Sequence, residues 1–569
     1  MTPATGKLGP NERRHALQRM RSEMFDIVVI GGGVTGCGAA LDAAARGLRV
    51  ALVERRDIAA GTSSRSSKLI HGGLRYLEHL NFGLVREALR ERRLLLTTIA
   101  PHLVRPVPFL YPLRHRVWER VYVGAGLTLY DNLAGVFGGR AVPRHRHLSR
   151  GAALALAPAL RADALVGAVQ YYDAQTDDAR YTLALARSAA ALGAAVATSM
   201  RADGFCRDGG RVTGVKVRDL EGGEDLQIRA RQVINATGVW TDDVQEFAGK
   251  GEIRVRVSKG VHLVVPADRI DSGSGVILRT ASSVLFVIPW GRHWIIGTTD
   301  TEWTLGKPHP AASRADIDYL LGQVNTILAR PLTHADVSGV YAGLRPLLHG
   351  ESAATSKLSR EHAVSQAVPG LVTVAGGKYT TYRVMAADAV DMAALGLKGP
   401  VPPSPTRRIP LVGAKGHHKR WQERVATAAR AGLGVATVEH LLGRYGSLID
   451  EVLELVSGNT ALGEPLEGAP DHLAAEVVYA ATHEGALHLD DVLTRRTRVS
   501  IETFDRGVAA AEPVARLMAP VLGWEREQVA REIQHYGMRV DAEIESQQQA
   551  DDHTADAARL GAPDVRLGA

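Results

Sequence analysis

Cysteine is nearly absent from this chain. Only Cys37 and Cys206 occur among 569 residues, so neither a disulfide framework nor a thiolate metal site can be assembled from it. The reducing cytoplasm is the expected compartment, and no metal site is expected. Aromatic residues make up 5%, and no RRM, zinc-finger or helix-turn-helix pattern accompanies the formal charge of +7. Nucleic acid is therefore the least supported of the acidic partners that such a charge favours, which leaves anionic lipid and phosphorylated metabolites. No run of about 18 apolar residues occurs, which excludes an ordinary spanning helix. The stretch from Met1 to Met24 carries Arg13, Arg14, His15, Arg19 and Arg21 without an apolar segment, and does not read as a secretory signal.

What is present is an ordinary globular composition, 45% hydrophobic and 23% charged, in a chain long enough for roughly three or four domain-sized units. The run Phe25-Asp-Ile-Val-Val-Ile30 reads as a buried parallel strand, and Thr35 to Arg46, rich in alanine, as a helix. A second strand, Leu48 to Val53, ends at Glu54. Between first strand and helix stand Gly31, Gly33 and Gly36 in the G-x-G-x-x-G spacing. The first glycine permits the tight turn, the second the approach of a pyrophosphate, the third close helix packing, while the helix N-terminus faces the diphosphate and Glu54 accepts from a ribose hydroxyl. This unit alone does not separate FAD from NAD.

Further along, Arg86 to His147 is strongly basic and broken by prolines, an excursion from the core. Strand-like pieces at Gln232 to Asn235, Gly260 to Val265, Val284 to Ile288 and Trp294 to Gly297 suggest an antiparallel sheet beside the nucleotide domain, the expected substrate platform. A proline-dense stiff linker spans 399–413. The expected organisation is a basic extension over 1–24, FAD-binding parts over about 25–100, 165–255 and 340–398, and substrate and membrane parts over about 101–164 and 256–339. An α-helical C-terminal domain follows over 414–546, then a polar tail over 547–569 that should fray.

The segment Gly61-Thr-Ser-Ser-Arg-Ser-Ser-Lys-Leu-Ile-His-Gly-Gly-Leu-Arg-Tyr-Leu-Glu78 resembles the one that runs along FAD in flavin-dependent glycerol-3-phosphate dehydrogenases. Tyr172-Asp173, Asn235-Ala-Thr-Gly238, Lys259-Gly-Val-His262, Gly297-Thr-Thr-Asp300, Gly343-Leu-Arg-Pro346, Gly376-Gly-Lys-Tyr-Thr-Thr-Tyr-Arg383 and, near the C-terminus, Asp491-Val-Leu-Thr-Arg-Arg-Thr-Arg498 are similar to that family in order and spacing. The resemblance implies an α/β fold with a Rossmann-like FAD-binding domain of the glutathione-reductase type, an antiparallel-sheet substrate domain and an α-helical C-terminal domain. It implies FAD contacts from Gly31, Gly33, Gly36, Glu54, Thr62, Ser63, Ser64, Ser67, Lys68, Leu69, His71, Gly72, Gly73, Ala236, Thr237, Gly238, Gly377, Lys378 and Thr380.

The implied reaction oxidises sn-glycerol 3-phosphate to dihydroxyacetone phosphate, with hydride passing from C2 to flavin N5, so the site needs a base and cationic phosphate anchors. By the same resemblance, Arg345, Arg360 and Lys378 contact the substrate, and Arg75 and Tyr76 line its cavity. The alternative for the arginines is a surface salt bridge. His262 is chosen as base because Arg256, Lys259 and the phosphate-binding cations should keep its imidazole neutral; the alternative is a strand histidine that only hydrogen-bonds. His71 is expected to position backbone, and Asp300 to serve structure.

In the resembling dehydrogenases the acceptor is a membrane quinone, reached by a protein lying on the inner face of the cell membrane as a homodimer. The apolar and arginine mixture of Arg86 to His147 is the composition of an interfacial element that an anionic surface attracts. An oxidase using oxygen, an NAD-dependent dehydrogenase and a flavin-containing binder without turnover are the competing readings.

Overall fold

The run Phe25-Asp-Ile-Val-Val-Ile30 demands burial on both faces, and the computed structural model places it accordingly: the strand Met24–Ile30 lies between Val50–Val53 and Asp225–Asn235, parallel to both. The structure describes residues 6–73, 81–136, 141–249, 251–280, 284–349 and 361–566. Parallel pairing continues outward from Val50–Val53 to Ala195–Ala197 and from Asp225–Asn235 to Leu371–Gly376. Residues 232–235 therefore belong to the nucleotide sheet and not to the antiparallel one. Their all-apolar neighbours are covered on both sides, as a parallel strand requires. One face packs on the helices Val34–Ala45, Asp178–Ala191 and Tyr382–Ala394.

The other face is covered from an unexpected source. The basic extension forms the helix Pro10–Ser22, which buries Ala16, Leu17 and Met20 against Phe25, Val28 and Val53 and pairs Arg13 with Asp219 at 2.7 Å. Each large apolar side chain so buried contributes on the order of 1.5–3 kcal/mol.

The second sheet is mostly antiparallel and built around the strand Val255–Pro266. It pairs with His293–Gly297 on one side and with Gly339–Leu348 on the other, the latter in register from Val255 opposite Leu348 to Val264 opposite Gly339. Val284–Trp290, Gly275–Arg279, Val104–Leu113, Gly167–Thr176 and Leu69–Ile70 extend it. The pair Gly275–Arg279 and Val104–Leu113 is parallel. The strands Gly167–Thr176 and Gly339–Leu348, expected on the FAD side, thus belong to this sheet.

The proline-dense stretch lies against the nucleotide domain, with the Thr406 hydroxyl 3.4 Å from Asp42 and the Leu411 amide donating to the Ile99 carbonyl at 2.8 Å. Beyond it, helices pack around Leu441, Val452 and Tyr479 and around Val492, Val514 and Met518. As far as residue 566 the polar tail does not fray. It forms the helix Asp552–Leu560, places Asp552 2.5 Å from the buried Lys259 ammonium, and buries Arg566 at 2.8 Å from Asp491. Its polar side chains are spent on ion pairs inside the molecule.

Candidate active site

A cavity of 1140 Å³ runs between the two sheets. Its nucleotide end is shaped by glycines: a Cβ on Gly36 would lie 1.9 Å from the Gly31 carbonyl oxygen, and Gly31 takes a φ of +112° against Ala236. Glu54 closes this end, accepting from the Gly32 amide at 2.6 Å and the Arg56 amide at 2.8 Å; burial pushes its carboxyl up. Thr62, Ser63, Ser67, Leu69, His71, Gly73, Ala236, Thr237, Gly238, Gly377 and Thr380 line the cavity with Gly31, Gly33 and Glu54. The helix Tyr382–Ala394, led in by a short 3₁₀ turn, brings Lys378 and Thr380 to it. The Thr380 hydroxyl sits 3.3 Å from the His71 amide, which ties that turn to the segment opposite.

Four expected cofactor contacts stand behind the lining. Gly36 serves helix packing, and the Gly72 amide donates to the Tyr130 hydroxyl at 2.9 Å. The Ser64 carbonyl accepts from Lys68 and Arg498. Lys68 is the clearest case. Its side chain is wholly buried, 2.8 Å from Asp178, and lies over the Trp290 and Tyr341 rings at 5.3 and 5.1 Å. A charge this deep is held by a carboxylate partner, so it turns away from the cavity.

The substrate end follows from strand pleating, by which alternate residues share a face. Ser258, Gly260 and His262 face the cavity side, opposite Arg345, Gly343 and Tyr341 of the neighbouring strand. His262 stacks on Tyr341 with centroids 4.7 Å apart, and its Nε2 lies 2.8 Å from the Ser67 hydroxyl. Arg345 donates to Asp300 at 3.3 Å, to the Thr298 hydroxyl at 3.0 Å and to the Thr299 carbonyl at 3.1 Å. Between histidine and arginine the two glycines leave the floor open. A Cβ on Gly260 would lie 2.2 Å from the Arg345 guanidinium.

The His262 imidazole is held well below its ordinary value, first by burial, then by Arg345 and Lys68. Arg256 and Lys259, expected to do this, are engaged elsewhere: Arg256 is 2.7 Å from Glu302, and Lys259, on the opposite face of the strand, is 2.6 Å from Asp316. The cavity unites His262, Arg345 and Lys378. Arg75, Tyr76 and Arg360 lie outside the described residues. Sequence reasoning missed the Ser67 partner of His262, the Tyr341 stack and the Asp300 clamp on Arg345, all of which depend on register between strands far apart in the chain. Among the described residues one trio that could hold a metal ion comes together, His440, His472 and Glu476 in the helical domain. Glu476 already accepts there from the Tyr445 hydroxyl and the Leu473 amide, so hydrogen bonding accounts for it.

A family model described as FAD dependent oxidoreductase matches residues 26–383, and one described as the C-terminal domain of alpha-glycerophosphate oxidase matches 404–529. A glycerol-3-phosphate dehydrogenase of Mycobacterium leprae is 58% identical over 98% of this chain and 95% of its own length. The chain belongs to the FAD-dependent glycerol-3-phosphate dehydrogenase family. The human mitochondrial member is 36% identical over 93% of this chain and 76% of its own. The solved structure of the Bacillus halodurans member, complexed with FAD, is 30% identical, covers 94% of this chain and 98% of that one, and superposes with a TM-score of 0.77. FAD is the family's cofactor, and the glycine cradle at Gly31 and Gly36, which a Cβ would fill, fits its diphosphate.

Proposed function

We propose that this enzyme oxidises sn-glycerol 3-phosphate to dihydroxyacetone phosphate, with His262 taking the hydroxyl proton and Arg345 and Lys378 anchoring the phosphate. The supporting observation is that one cavity is lined by all three side chains and by the cofactor-binding glycines. When bound, FAD supplies the two-electron acceptor for the hydride leaving C2. Neutral at ordinary pH, His262 can accept the proton as the carbonyl forms, and Ser67 fixes the ring. Arg345, clamped by Asp300, offers a guanidinium suited to phosphate oxygens, and Lys378 adds a point charge. By family resemblance Arg75, Tyr76 and Arg360 complete the phosphate end. Asp300 orients Arg345. Anaerobic mixing of flavin-loaded protein with glycerol 3-phosphate tests the reading: bleaching of the flavin absorbance supports it, and flavin that stays oxidised rejects the substrate.

The proposed acceptor is a membrane quinone, met by a protein attached to the inner face of the cell membrane. No helix among the described residues is long and apolar enough to cross a membrane, but the helix Trp118–Val136 exposes an apolar face. Val117 is 73% exposed, Trp118 59% and Val121 66%, and Arg114, Arg116 and Arg120 flank them. The same helix lines the cavity mouth through Tyr122, Ala125 and Leu129, so an apolar acceptor arriving with the lipid would meet the cleft. Sedimentation with anionic vesicles, lost in Trp118→Glu and Val121→Glu while reduction of a soluble acceptor persists, is the expected result. The homodimer that the family resemblance implies is checked by sedimentation equilibrium.

A further inference from the structure

Behind the nucleotide end of the cofactor cavity lies a smaller one of 40 Å³, bounded by the helix Arg526–Ser546, the C-terminal segment and the loop after Glu54. Six arginines line it, Arg56, Arg65, Arg495, Arg539, Arg559 and Arg566, with His309, His535 and the carboxylates Asp490, Glu532 and Asp564. Five of the six arginines have a carboxylate: Arg56 is 3.1 Å from Asp564, Arg539 pairs with Asp490, Arg495 and Arg566 reach Asp491 at 2.6 and 2.8 Å, and Arg559 reaches Glu543 only at 3.9 Å. Arg65 is different. Its guanidinium has neither an ion pair nor a hydrogen bond among the described residues. Arginine cannot shed its charge at physiological pH, and an enclosed cation without a counter-charge is costly.

The surroundings add no relief. Burial together with Arg539, Arg56, Arg559 and Arg495 pushes the Arg65 guanidinium down to about 9, and burial pushes Arg559 down to about 10. His309 and His535 each keep a buried Nδ1 without a hydrogen-bond partner. Cations crowded round a small void, with ring nitrogens still unsatisfied and the three carboxylates of the lining already engaged by Arg495, His488 and Arg56, form an anion cradle. With about 10–15 Å³ of such space needed for one water, its volume takes about three waters or one phosphoryl-sized group and not a nucleotide.

We propose that this cavity binds a tetrahedral oxyanion of phosphate size, either inorganic phosphate or the phosphoryl group of a small ester, as the counter-ion of Arg65 and Arg559. Bound there, it would lock the C-terminal segment and the helix Arg526–Ser546 to the loop that follows Glu54. The site shares Arg56 and Arg65 with the wall of the cofactor cavity but is separate from the one proposed for substrate.

The test uses flavin-loaded protein in a phosphate-free buffer. It is titrated with inorganic phosphate and, separately, glycerol 2-phosphate, against sodium chloride at matched ionic strength, and the unfolding midpoint is read. An Arg345→Gln background removes phosphate binding at the proposed substrate site. The expected result is a saturable rise of about 3 °C that chloride does not reproduce, lost in Arg65→Met and reduced in Arg559→Gln. A rise with inorganic phosphate alone assigns the free ion; an equal or larger one with glycerol 2-phosphate assigns the ester. Arg65→Met has a second signature: without any anion it should unfold at a higher temperature than its anion-free parent, because an uncompensated charge has gone. No phosphate-specific rise in the parent overturns the proposal. So does a rise that survives Arg65→Met, or loss of flavin from Arg65→Met without phosphate dependence, which would give Arg65 to the cofactor's diphosphate.

Discussion

The Ser67 hydroxyl lies 2.8 Å from Nε2 of His262, so one hydrogen bond joins the segment along the cofactor to the strand that carries the proposed base. Replacing His262 by Gln keeps a polar side chain but removes the proton acceptor. Flavin reduction by glycerol 3-phosphate should slow by about 10²–10⁴-fold, while substrate affinity changes far less, as expected when the lost interaction belongs to the transition state. Anaerobic stopped-flow absorbance separates the two. An unchanged reduction rate would remove His262 from the mechanism.

The burial of that imidazole sets a pH dependence. Its folded-state value lies well below the ordinary one because burial, Arg345 and Lys68 all disfavour the charged form. The ring therefore stays neutral as pH falls through about 6.5, where an exposed histidine titrates. The reduction rate should be flat from pH 8 to about 6.5 and decline only below it. A decline centred above that value would mean that the titrating group is not His262.

Gly260 gives a sharper test of geometry. Gly260→Ala places a methyl 2.2 Å from the Arg345 guanidinium and 2.5 Å from the Thr298 hydroxyl, so the arginine must leave its clamp. Loss of a charge-assisted hydrogen bond costs about 1.5–3 kcal/mol, and KM for glycerol 3-phosphate should rise about 10- to 100-fold at unchanged flavin content. Unaltered KM would show that Arg345 does not hold the substrate.

These residues also mark where the sequence was legible. The strand, turn and helix around Gly31, Gly33 and Gly36 could be read because local sterics demand glycine there, and the motifs around Arg345 and Lys378 because they are contiguous. The direction of the Lys68 side chain was not legible, because its neighbours face the cavity whereas its partner Asp178 lies on a helix distant in the chain. Of the cations expected to tune His262, the sequence neighbours Arg256 and Lys259 do not, while the phosphate anchor Arg345 does, joined by Lys68 from the segment along the cofactor. Register and the direction of a buried charge are tertiary properties that adjacency does not encode.

His488 offers a stability test independent of catalysis. It is buried between Glu221 and Glu532, at 2.9 Å from each, and hydrogen bonds to those carboxylates raise it to about 9 despite burial and Arg566. Because the folded value exceeds the unfolded one, the stabilisation is fully present below about pH 6.5 and is lost as pH rises through about 9. His488→Gln should cost on the order of 3 kcal/mol at pH 6 and much less at pH 10. Urea unfolding at the two values measures it, and a cost independent of pH would contradict the ion-pair account.

The C-terminal segment supplies the last test, since its polarity suggested a frayed tail and its contacts place it in the interior. Deleting residues 551–569 removes Asp552 from Lys259, Arg566 from Asp491, and the buried Ala555 from its packing with Trp303. Lys259 and Asp491 would each keep one other partner, Asp316 and Arg495, so neither charge is left wholly exposed to the apolar interior. The loss should nonetheless reach about 3 kcal/mol or more, because buried ion pairs are broken from one side only. A fall in the urea midpoint of the flavin-loaded protein is the expected reading. A midpoint equal to that of the full chain would mean that the tail is dispensable and that these pairs contribute nothing to folding.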